Sequence, residues 1–283
     1  MDIRAVKAVP PWVGTAVAVW RFPVKSMQGE LLDAAEVTGH GLVGDRAYAL
    51  VDATTGKLVS AKSTRHFAKL LDCRAVFVEP PRATGEVPPV RITLSDGTSV
   101  RSDAPGIDLV LSNFFGSDVV FAGQEPEDLA MDRSQPDLGE GSPLWSVPVG
   151  SFVDAFPVSV LTTSTLRRFS ELNPRSRFDQ RRFRMNIIVD TEPSGFIENE
   201  WIGAELSIGE TVRLLVAMPD PRCVLTTMAQ ADLPNDVEVL RSVSQHNKIK
   251  LPGGSGPFPC AGVYTTVASP GTIRVDDVVV LTQ

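Results

Sequence analysis

Residues 16–23, AVAVWRFP, indicate the fold class of this chain. Their apolar, β-type run predicts a short strand that ends at Pro23, because proline cannot donate a hydrogen bond to a sheet. Similar runs recur, and glycine and proline (22 each) separate them at short intervals. This spacing favours antiparallel sheets and barrels over a regular alternation of strands and helices. Further strands are predicted at residues 48–51, 75–78, 90–94, 119–121, 159–161, 186–189, 211–217, 263–267 and 277–281.

Few segments have helical character, which makes the expected fold class α+β and rich in β-structure. Residues 64–71 predict one helix. Residues 162–172 predict a second, in which Leu166, Phe169 and Leu172 recur every three positions on one face. Residues 122–141 are rich in Asp, Glu, Pro and Gly and predict a connection. We therefore expect a first domain at 1–125 and a second at 126–283.

The composition excludes several classes of protein. A net charge of −7 gives no global positive field for a nucleic-acid backbone. No run approaches the roughly 20 apolar residues that cross a bilayer, so we expect no membrane partner. Three widely spaced cysteines suit a reducing compartment better than a disulfide framework. The expected location is cytoplasmic.

Residues 218–227, MPDPRCVLTT, contain the most informative side chain, Cys223. Pro219 and Pro221 predict a loop before it. Arg222 directly precedes the thiol, and a neighbouring cation favours the thiolate, which attacks electrophiles and binds soft metals. Taken alone, these ten residues favour a small buried cysteine in an apolar core, because a single cysteine flanked by Val and Leu more often packs than reacts.

Other polar residues are candidates for binding an anion. Lys25 and Ser26 follow a predicted strand and a proline, so their side chains are expected to leave the sheet at a loop. Arg46 closes a turn in which Gly41 and Gly44 permit backbone conformations that other residues rarely adopt. A Gly-Asp-Arg turn is common, so this segment by itself does not define a site.

Two further segments are compatible either with anion binding or with an ordinary structural role. Residues 177–184, RFDQRRFR, contain four arginines, of which Arg177, Arg181 and Arg182 are also compatible with a solvated face. Thr162 and Thr163 lie between a strand and a helix, where hydroxyls and free N–H groups favour phosphate. The same threonines are compatible with simple capping of the helix.

Four motifs in order resemble those of the MOSC family, whose domain is named for the C-terminal part of molybdenum-cofactor sulfurases. They are RFPVKSMQGE at 21–30, GLVGDR at 41–46, RFRMNIIV at 182–189 and PGTIRVDD at 270–277. The resemblance extends over nearly the whole chain and is strongest to two-part MOSC proteins related to the amidoxime-reducing component. It implies an N-terminal β-rich domain (1–125) followed by a MOSC β-barrel domain (126–283) with a few peripheral helices.

The resemblance also implies a site for the molybdenum cofactor, a pterin that carries a phosphate and a dithiolene. Cys223 would be the metal ligand and a catalytic residue. Asp220 would assist proton delivery, or only hold the loop. The residues implied in cofactor binding are Lys25, Ser26, Arg46, Thr162, Thr163, Arg184, Asn186 and Arg222.

Three functions are compatible with this pattern. The first is a molybdenum-cofactor oxidoreductase that reduces small N-hydroxylated or other N-oxygenated substrates. Because the sequence shows no dinucleotide fingerprint or iron–sulfur cysteine run, its electrons would come from an external flavin or iron–sulfur reductase. The second is a persulfide carrier in which Cys223 receives sulfur from a pyridoxal-phosphate desulfurase. The third is a non-enzymatic carrier of the cofactor.

The chain departs from the family pattern at several positions. Met185 stands where many relatives have proline, and Asp276 stands where glycine is usual. We expect the second change to affect a turn more than the chemistry. Cys260 is expected to be a buried structural cysteine, with a second thiol facing the cofactor as the alternative.

Overall fold

The computed structural model describes residues 12–63, 66–123, 151–251 and 256–282. We refer to residues 12–123 as the N-terminal part and to residues 151–282 as the C-terminal part. The strands are β1 (Trp12–Arg21), β2 (Glu30–Leu32), β3 (Ala34–Thr38), β4 (Gly41–Leu42), β5 (Ala49–Asp52), β6 (Arg74–Phe77), β7 (Val90–Thr93), β8 (Ser99–Arg101), β9 (Val119–Ala122), β10 (Val158–Thr162), β11 (Ile187–Asp190), β12 (Glu205–Ile208), β13 (Val212–Pro221), β14 (Lys248–Lys250), β15 (Pro257–Ser269), β16 (Gly271–Arg274) and β17 (Val278–Thr282). The helices are α1 (Ile107–Phe115), α2 (Thr163–Leu172) and α3 (Val237–His246), and 3₁₀ turns cover Phe67–Asp72, Gln180–Arg182, Ile197–Trp201 and Val224–Thr227.

A seven-stranded closed barrel forms the centre of the structure. Its strand order is β10-β11-β1-β17-β12-β13-β15, and pairing of β15 with β10 closes it. The pair β10–β11 is parallel, whereas the other pairs around the barrel are antiparallel. The expected β-rich α+β class is confirmed.

The barrel uses strands from both parts of the chain. Strand β1 lies between β11 and β17 and bonds to both. The predicted domain boundary near residue 125 lies outside the described residues and stays a prediction. What the described strands show is that the first one completes a barrel built mostly from the C-terminal part.

A second apolar core lies in the N-terminal part. It includes Leu111 and Phe115, which are four positions apart on one face of α1, together with residues of β5, β6, β7 and β9. Leu225 and Met228, which closely follow Cys223, pack against this core. Burial of these two side chains therefore attaches the chain segment after Cys223 to the N-terminal part.

Most predicted strands are present, and the helix predicted at 162–172 is confirmed as α2. The helix predicted at 64–71 is instead a 3₁₀ turn at Phe67–Asp72. Helices α1 and α3 were not predicted. The sequence of α3, VEVLRSVSQH, is rich in β-branched residues, but Asp236 caps its first turn by accepting the N–H of Glu238. No described helix has the length and apolar character needed to cross a membrane.

The loop predicted before Cys223 is wrong, because β13 continues through Pro219 and Pro221. These prolines pair with Val263 and Cys260 of β15, across two register shifts. On its other side β13 pairs with β12 only as far as Leu215. The end of β13 is therefore an edge of the sheet. Proline is tolerated there because no neighbouring strand needs its missing N–H.

Two departures from the family pattern have clear local consequences. Asp276 has a φ of 71°, a left-handed conformation that glycine adopts with less strain. Cys260 is fully buried among Met218, Leu251 and their neighbours, which confirms the structural interpretation. Burial raises the pKa of its thiol to about 12.

Gly262 offers a direct test of the barrel closure. Its φ is +81°, and an added Cβ would contact Met185 and lie 2.6 Å from the carbonyl oxygen of Val160 in β10. We expect Gly262→Ala to lower the free energy of unfolding by about 2–4 kcal/mol, from left-handed strain plus this clash. Gly203→Ala is the matched control, since Gly203 has a φ of +84° and open space around it. Equal losses in urea unfolding of the two variants would contradict the close approach of β15 to β10.

Candidate active site

One cleft brings together most of the residues implied by the sequence. It lies where the segment after β1, the turn before β5, the turn before β11 and the end of β13 meet. The predicted residues that line it are Lys25, Ser26, Arg46, Arg184, Asn186, Asp220, Arg222 and Cys223. Residues that the sequence analysis did not single out also line it, among them Lys62, Phe152, Asp154 and Tyr264.

The buried carboxylate of Asp45 organises one wall of the cleft. Its Oδ1 accepts the backbone N–H of Phe22 at 2.8 Å. Its Oδ2 accepts from the guanidinium of Arg46 and, at 3.0 Å, from the side-chain amide of Asn186. One side chain thus joins the end of β1, the turn before β5 and the start of β11.

Asn186 is committed to this network. Its Oδ1 accepts from the N–H and the hydroxyl of Ser159 at 3.1 and 3.0 Å, and its amide also donates to the carbonyl of Trp20. Because both ends of the amide are bonded, Asn186 positions Asp45 and the strands around it.

Three cleft residues have strained backbones. Ser26, Arg46 and Arg184 have φ values of 66°, 48° and 55°, in the left-handed region that non-glycine residues seldom adopt. Such conformations cost of order 1–3 kcal/mol each and persist where the surrounding structure enforces them. Their concentration at one cleft is typical of a binding site.

Arg46 and Arg184 are held close together despite their like charges. Each guanidinium lies 4.4 Å from the ring centroid of Phe22, and Arg46 donates to the backbone carbonyl of Arg184 at 3.0 Å. Burial, and then the charge of Arg46, lower the pKa of Arg184 to about 9. The carboxylates of Asp154 and Asp45 oppose this shift without cancelling it, so a bound anion would stabilise the charged form of Arg184.

Lys25 forms a hydrogen bond and an ion pair within the cleft. Its ammonium donates to the carbonyl of Phe152 at 2.8 Å and to the carboxylate of Asp154 at 2.5 Å. Enclosure by itself would raise the pKa of Asp154, but the charge and hydrogen bond of Lys25 outweigh it and hold that pKa well below its usual range. The Asp154 side chain is 62% exposed, so an incoming anion can displace it from Lys25.

Asp220, Arg222 and Cys223 enter the cleft from the end of β13 and the residues directly after it. Arg222 donates to the Asp220 carboxylate and to the carbonyl of Phe183. Burial raises the pKa of Asp220 to about 6, although the charge of Arg222 opposes this increase. The hydroxyl of Tyr264 interacts with the Asp220 carboxyl, whereas Arg222 Nε is buried and without a hydrogen-bond partner among the described residues. A buried polar atom without a partner marks a place where a ligand or a water molecule can complete its hydrogen bonding.

The Cys223 thiol is half-buried in the cleft. The backbone carbonyl of Cys223 accepts from the N–H and the hydroxyl of Thr226 at 3.2 and 3.0 Å, which holds the residue at the start of a 3₁₀ turn. The ammonium of Lys62 lies 4.0 Å from Cys223 Sγ. This lysine carries no local motif and comes from a distant loop, so no sequence signal identified it.

Thr162 and Thr163 are not among the residues that line the cleft. Thr162 Oγ1 donates to the buried Glu198 at 2.8 Å and accepts the N–H of Thr165, which caps α2. Thr163 Oγ1 donates to Asp190 at 2.5 Å. The capping interpretation of Thr162 is confirmed, and this geometry does not support a cofactor contact for either threonine.

The arginine-rich segment divides into three roles. Arg177 and Arg181 form exposed ion pairs with Asp232, in agreement with a solvated face. Arg182 is fully buried, which corrects the same expectation for that residue. Its guanidinium donates to the carbonyls of Arg177, Thr226, Met228 and Pro234. Arg184 alone of the four lines the cleft.

The donor set fits a ligand that is anionic at one end and binds a soft metal at the other. Cys223 is the soft donor, and no group of three or more His, Cys, Asp and Glu side chains within the described ranges could hold a metal by itself. Lys25, Arg46 and Arg184 offer charge-assisted hydrogen bonds to an anion. Arg222 Nε, which has no partner among the described residues, is a further donor in the same cleft. The residues present therefore fit a molybdenum pterin.

Comparisons with known proteins agree with this geometry. The family model of the MOSC domain matches residues 148–280, and that of the MOSC N-terminal beta barrel domain matches residues 13–71. Mitochondrial amidoxime reducing component 2 of Bos taurus is 25% identical over 94% of this chain and 82% of its own length. The Homo sapiens protein of the same name is 26% identical with the same coverage.

A crystal structure of the YUAD protein from Bacillus subtilis is also similar, at 11% identity and a TM-score of 0.45, with 95% of each chain covered. That likeness is too distant to bear on the site. The two family models together match more than half of the chain, in the order that its motifs indicate. The chain belongs to the MOSC family, as a two-part protein with a MOSC N-terminal beta barrel domain and a MOSC domain.

Proposed function

We propose that this protein is a molybdenum-cofactor-dependent oxidoreductase that reduces small N-hydroxylated or other N-oxygenated compounds. The observation that carries the proposal is the convergence of the Cys223 thiol with a group of cations in one cleft. Those cations are Lys25, Arg46, Lys62, Arg184 and Arg222. The names of its relatives, amidoxime reducing components, support the class of substrate.

Each end of the cleft would hold a different part of the cofactor. The thiolate of Cys223 would ligate the metal, which prefers soft donors. Arg46, Arg184 and Lys25 would bind the phosphate, and the hydroxyl of Ser26 can donate to it because its oxygen already accepts the N–H of Ala61. When bound, the cofactor supplies two-electron oxygen-atom chemistry.

Asp220 is placed to handle protons. Reduction of an N-hydroxy group to an amine takes up two protons and two electrons and releases water. A buried acid with a pKa of about 6 holds a proton near neutral pH and can also give it up. Its bond to Arg222, directly beside Cys223, keeps the carboxyl at the metal end of the cleft.

Electrons would come from another polypeptide, a flavin or iron–sulfur reductase. The sequence has no dinucleotide fingerprint and no iron–sulfur cysteine run. The half-exposed position of Cys223 leaves the metal end of the cleft open toward solvent. Cytoplasmic location stays a prediction.

Cofactor retention should depend on Arg46 and Arg184. We expect Arg46→Ala and Arg184→Ala each to weaken retention about ten- to hundred-fold, since one charge-assisted contact is worth roughly 1.5–3 kcal/mol. Molybdenum content per chain, after production in a host that makes the cofactor, measures this. Arg168→Ala is the control, because Arg168 is an exposed residue of α2 that pairs with Glu171. Wild-type molybdenum content in both cleft variants would refute the anion-binding role.

Replacement of Cys223 separates the possible functions. We expect Cys223→Ser to abolish turnover of a hydroxylamine or amidoxime, because serine is a harder and far less acidic donor. Cys73→Ser is the control: Cys73 is buried in the N-terminal core, so its change should reduce stability and leave activity per folded molecule intact.

The same variant distinguishes the alternatives to a reductase. A persulfide carrier would lose sulfur transfer with no change in molybdenum content. A cofactor carrier would hold molybdenum and show no turnover even as wild type. Full activity of Cys223→Ser with bound molybdenum would overturn the ligand assignment.

Asp220 should give a distinct pH dependence of stability. Because folding raises its pKa from 3.8 to about 6, its contribution is fully present below pH 3.8 and is lost as pH rises through about 6. We expect the free energy of unfolding of cofactor-free protein to fall from this source by about 3 kcal/mol between pH 4 and 7. Asp220→Asn should lack this component, and chemical denaturation of both proteins at several pH values measures it. Parallel pH profiles would contradict a raised pKa.

A further inference from the structure

A second cavity, of about 230 Å³, adjoins the active-site cleft at Arg184. It is formed by the end of β1, the segment leading into β2, the 3₁₀ turn at Gln180–Arg182 and a turn at Gln230–Leu233. Arg184 lines both cavities, whereas Cys223, Lys25 and Asp220 line only the first and Phe22 lines only the second. Nothing in the proposed reductase chemistry uses the second cavity.

Its apolar walls suit a flat ligand. The rings of Trp20 and Phe22 are stacked, with centroids 6.1 Å apart and an angle of 17° between their planes. The thioether of Met185 adds a polarizable surface, which packs well against aromatic rings. Leu31, 58% exposed, lies at the edge of the cavity and leaves it accessible from solvent.

The charged residues that line the second cavity are all positive. Arg74, Arg181 and Arg184 line the cavity, and none of its lining residues is an aspartate or glutamate. Arg181 is already paired with Asp179 and Asp232. Arg184 has its pKa lowered by burial and by Arg46, so it gains most from a further anion. Arg74 is exposed at the rim.

Gln230 supplies an unused hydrogen-bond donor. Gln230 is only 3% exposed. Its side-chain Nε2 has no hydrogen-bond partner among the described residues. The turn that carries it is held rigidly: Ala231 has a φ of 48°, and its N–H donates to Asp72 Oδ1 at 2.9 Å. A buried amide donor without a partner is destabilising, and an acceptor on a bound molecule would offset that cost.

We propose that this second cavity binds a small aromatic carboxylate. Its ring would lie against Trp20, Phe22 and Met185, and its carboxylate would accept from Gln230 and approach Arg184. A dry cavity of roughly 150 Å³ is known to hold benzene, so the larger space here accommodates one ring with a carboxylate. The proposal does not rest on the proposed reductase function, because Cys223, Lys25 and Asp220 do not line this cavity, although Arg184 lines both.

Benzoate is the probe, and isothermal titration calorimetry of the full chain at fixed ionic strength measures its affinity. We expect one site per chain, with benzamide at least about tenfold weaker because it lacks the charge. Cyclohexanecarboxylate should also bind less tightly, because its ring is not flat. Gln230→Leu should weaken benzoate about tenfold, while Gln245→Leu, the same change at an exposed position of α3, should have no effect.

A variant of the first cleft establishes where benzoate binds. Lys25→Ala removes a cation that lines only the first cleft, and unchanged benzoate affinity in this variant supports the second cavity. Loss of binding in Lys25→Ala with full binding in Gln230→Leu would overturn the proposal, and so would the absence of benzoate binding. Molybdenum content of Gln230→Leu, expected to equal that of wild type, keeps this outcome separate from the reductase proposal.

Discussion

The buried carboxylate of Asp45 is the interaction on which the site depends. It bonds to Phe22, Arg46 and Asn186, which belong to three segments remote in sequence. Removing one member of a buried, hydrogen-bonded charge pair typically costs about 3–5 kcal/mol, so these segments are strongly coupled. The same contacts place Phe22 where it supports the two arginines of the cleft. The Arg46 guanidinium and the Asp45 carboxylate that orients it belong to adjacent residues of one turn.

The fold concentrates positive charge in a protein whose net charge is −7. Left-handed backbones at Arg46 and Arg184 direct two guanidinium groups onto one phenylalanine ring, where like charges repel. Elsewhere on the surface, arginines such as Arg177 and Arg181 are neutralised by aspartates. The cleft thus differs from the rest of the molecule in carrying cations that its own carboxylates do not fully balance, and that imbalance is what makes it receptive to an anion.

Arg184 stands in the wall between two cavities of different character. On one side are a thiol and phosphate-type donors, and on the other are stacked aromatic rings and a buried amide. An anion on either side would relieve the burial and repulsion that lower the pKa of Arg184. Anions bound in the two cavities would therefore share one cation, Arg184, which lines both.

The sequence by itself determined the β-rich class, most of the strands and eight of the residues that line the cleft, among them Lys25 and Cys223. Strands are encoded locally, by short apolar runs between glycine and proline, and the family motifs are short contiguous segments. Helix α3 escaped prediction because its β-branched residues resemble a strand, and the end of β13 because its prolines resemble a loop.

Only the tertiary structure decided which polar side chains are available in the cleft and which are already hydrogen-bonded to other parts of the protein. Thr162 bonds to Glu198, Asn186 to Asp45, and Arg182 to four backbone carbonyls, all through partners distant in sequence. Lys62, Asp154 and Gln230 line the two cavities because the fold places them there, and no local sequence motif predicts that position. The hydrogen-bonding capacity of a side chain can be read from its identity, but the partner that takes up this capacity depends on burial, and burial is a property of the folded chain.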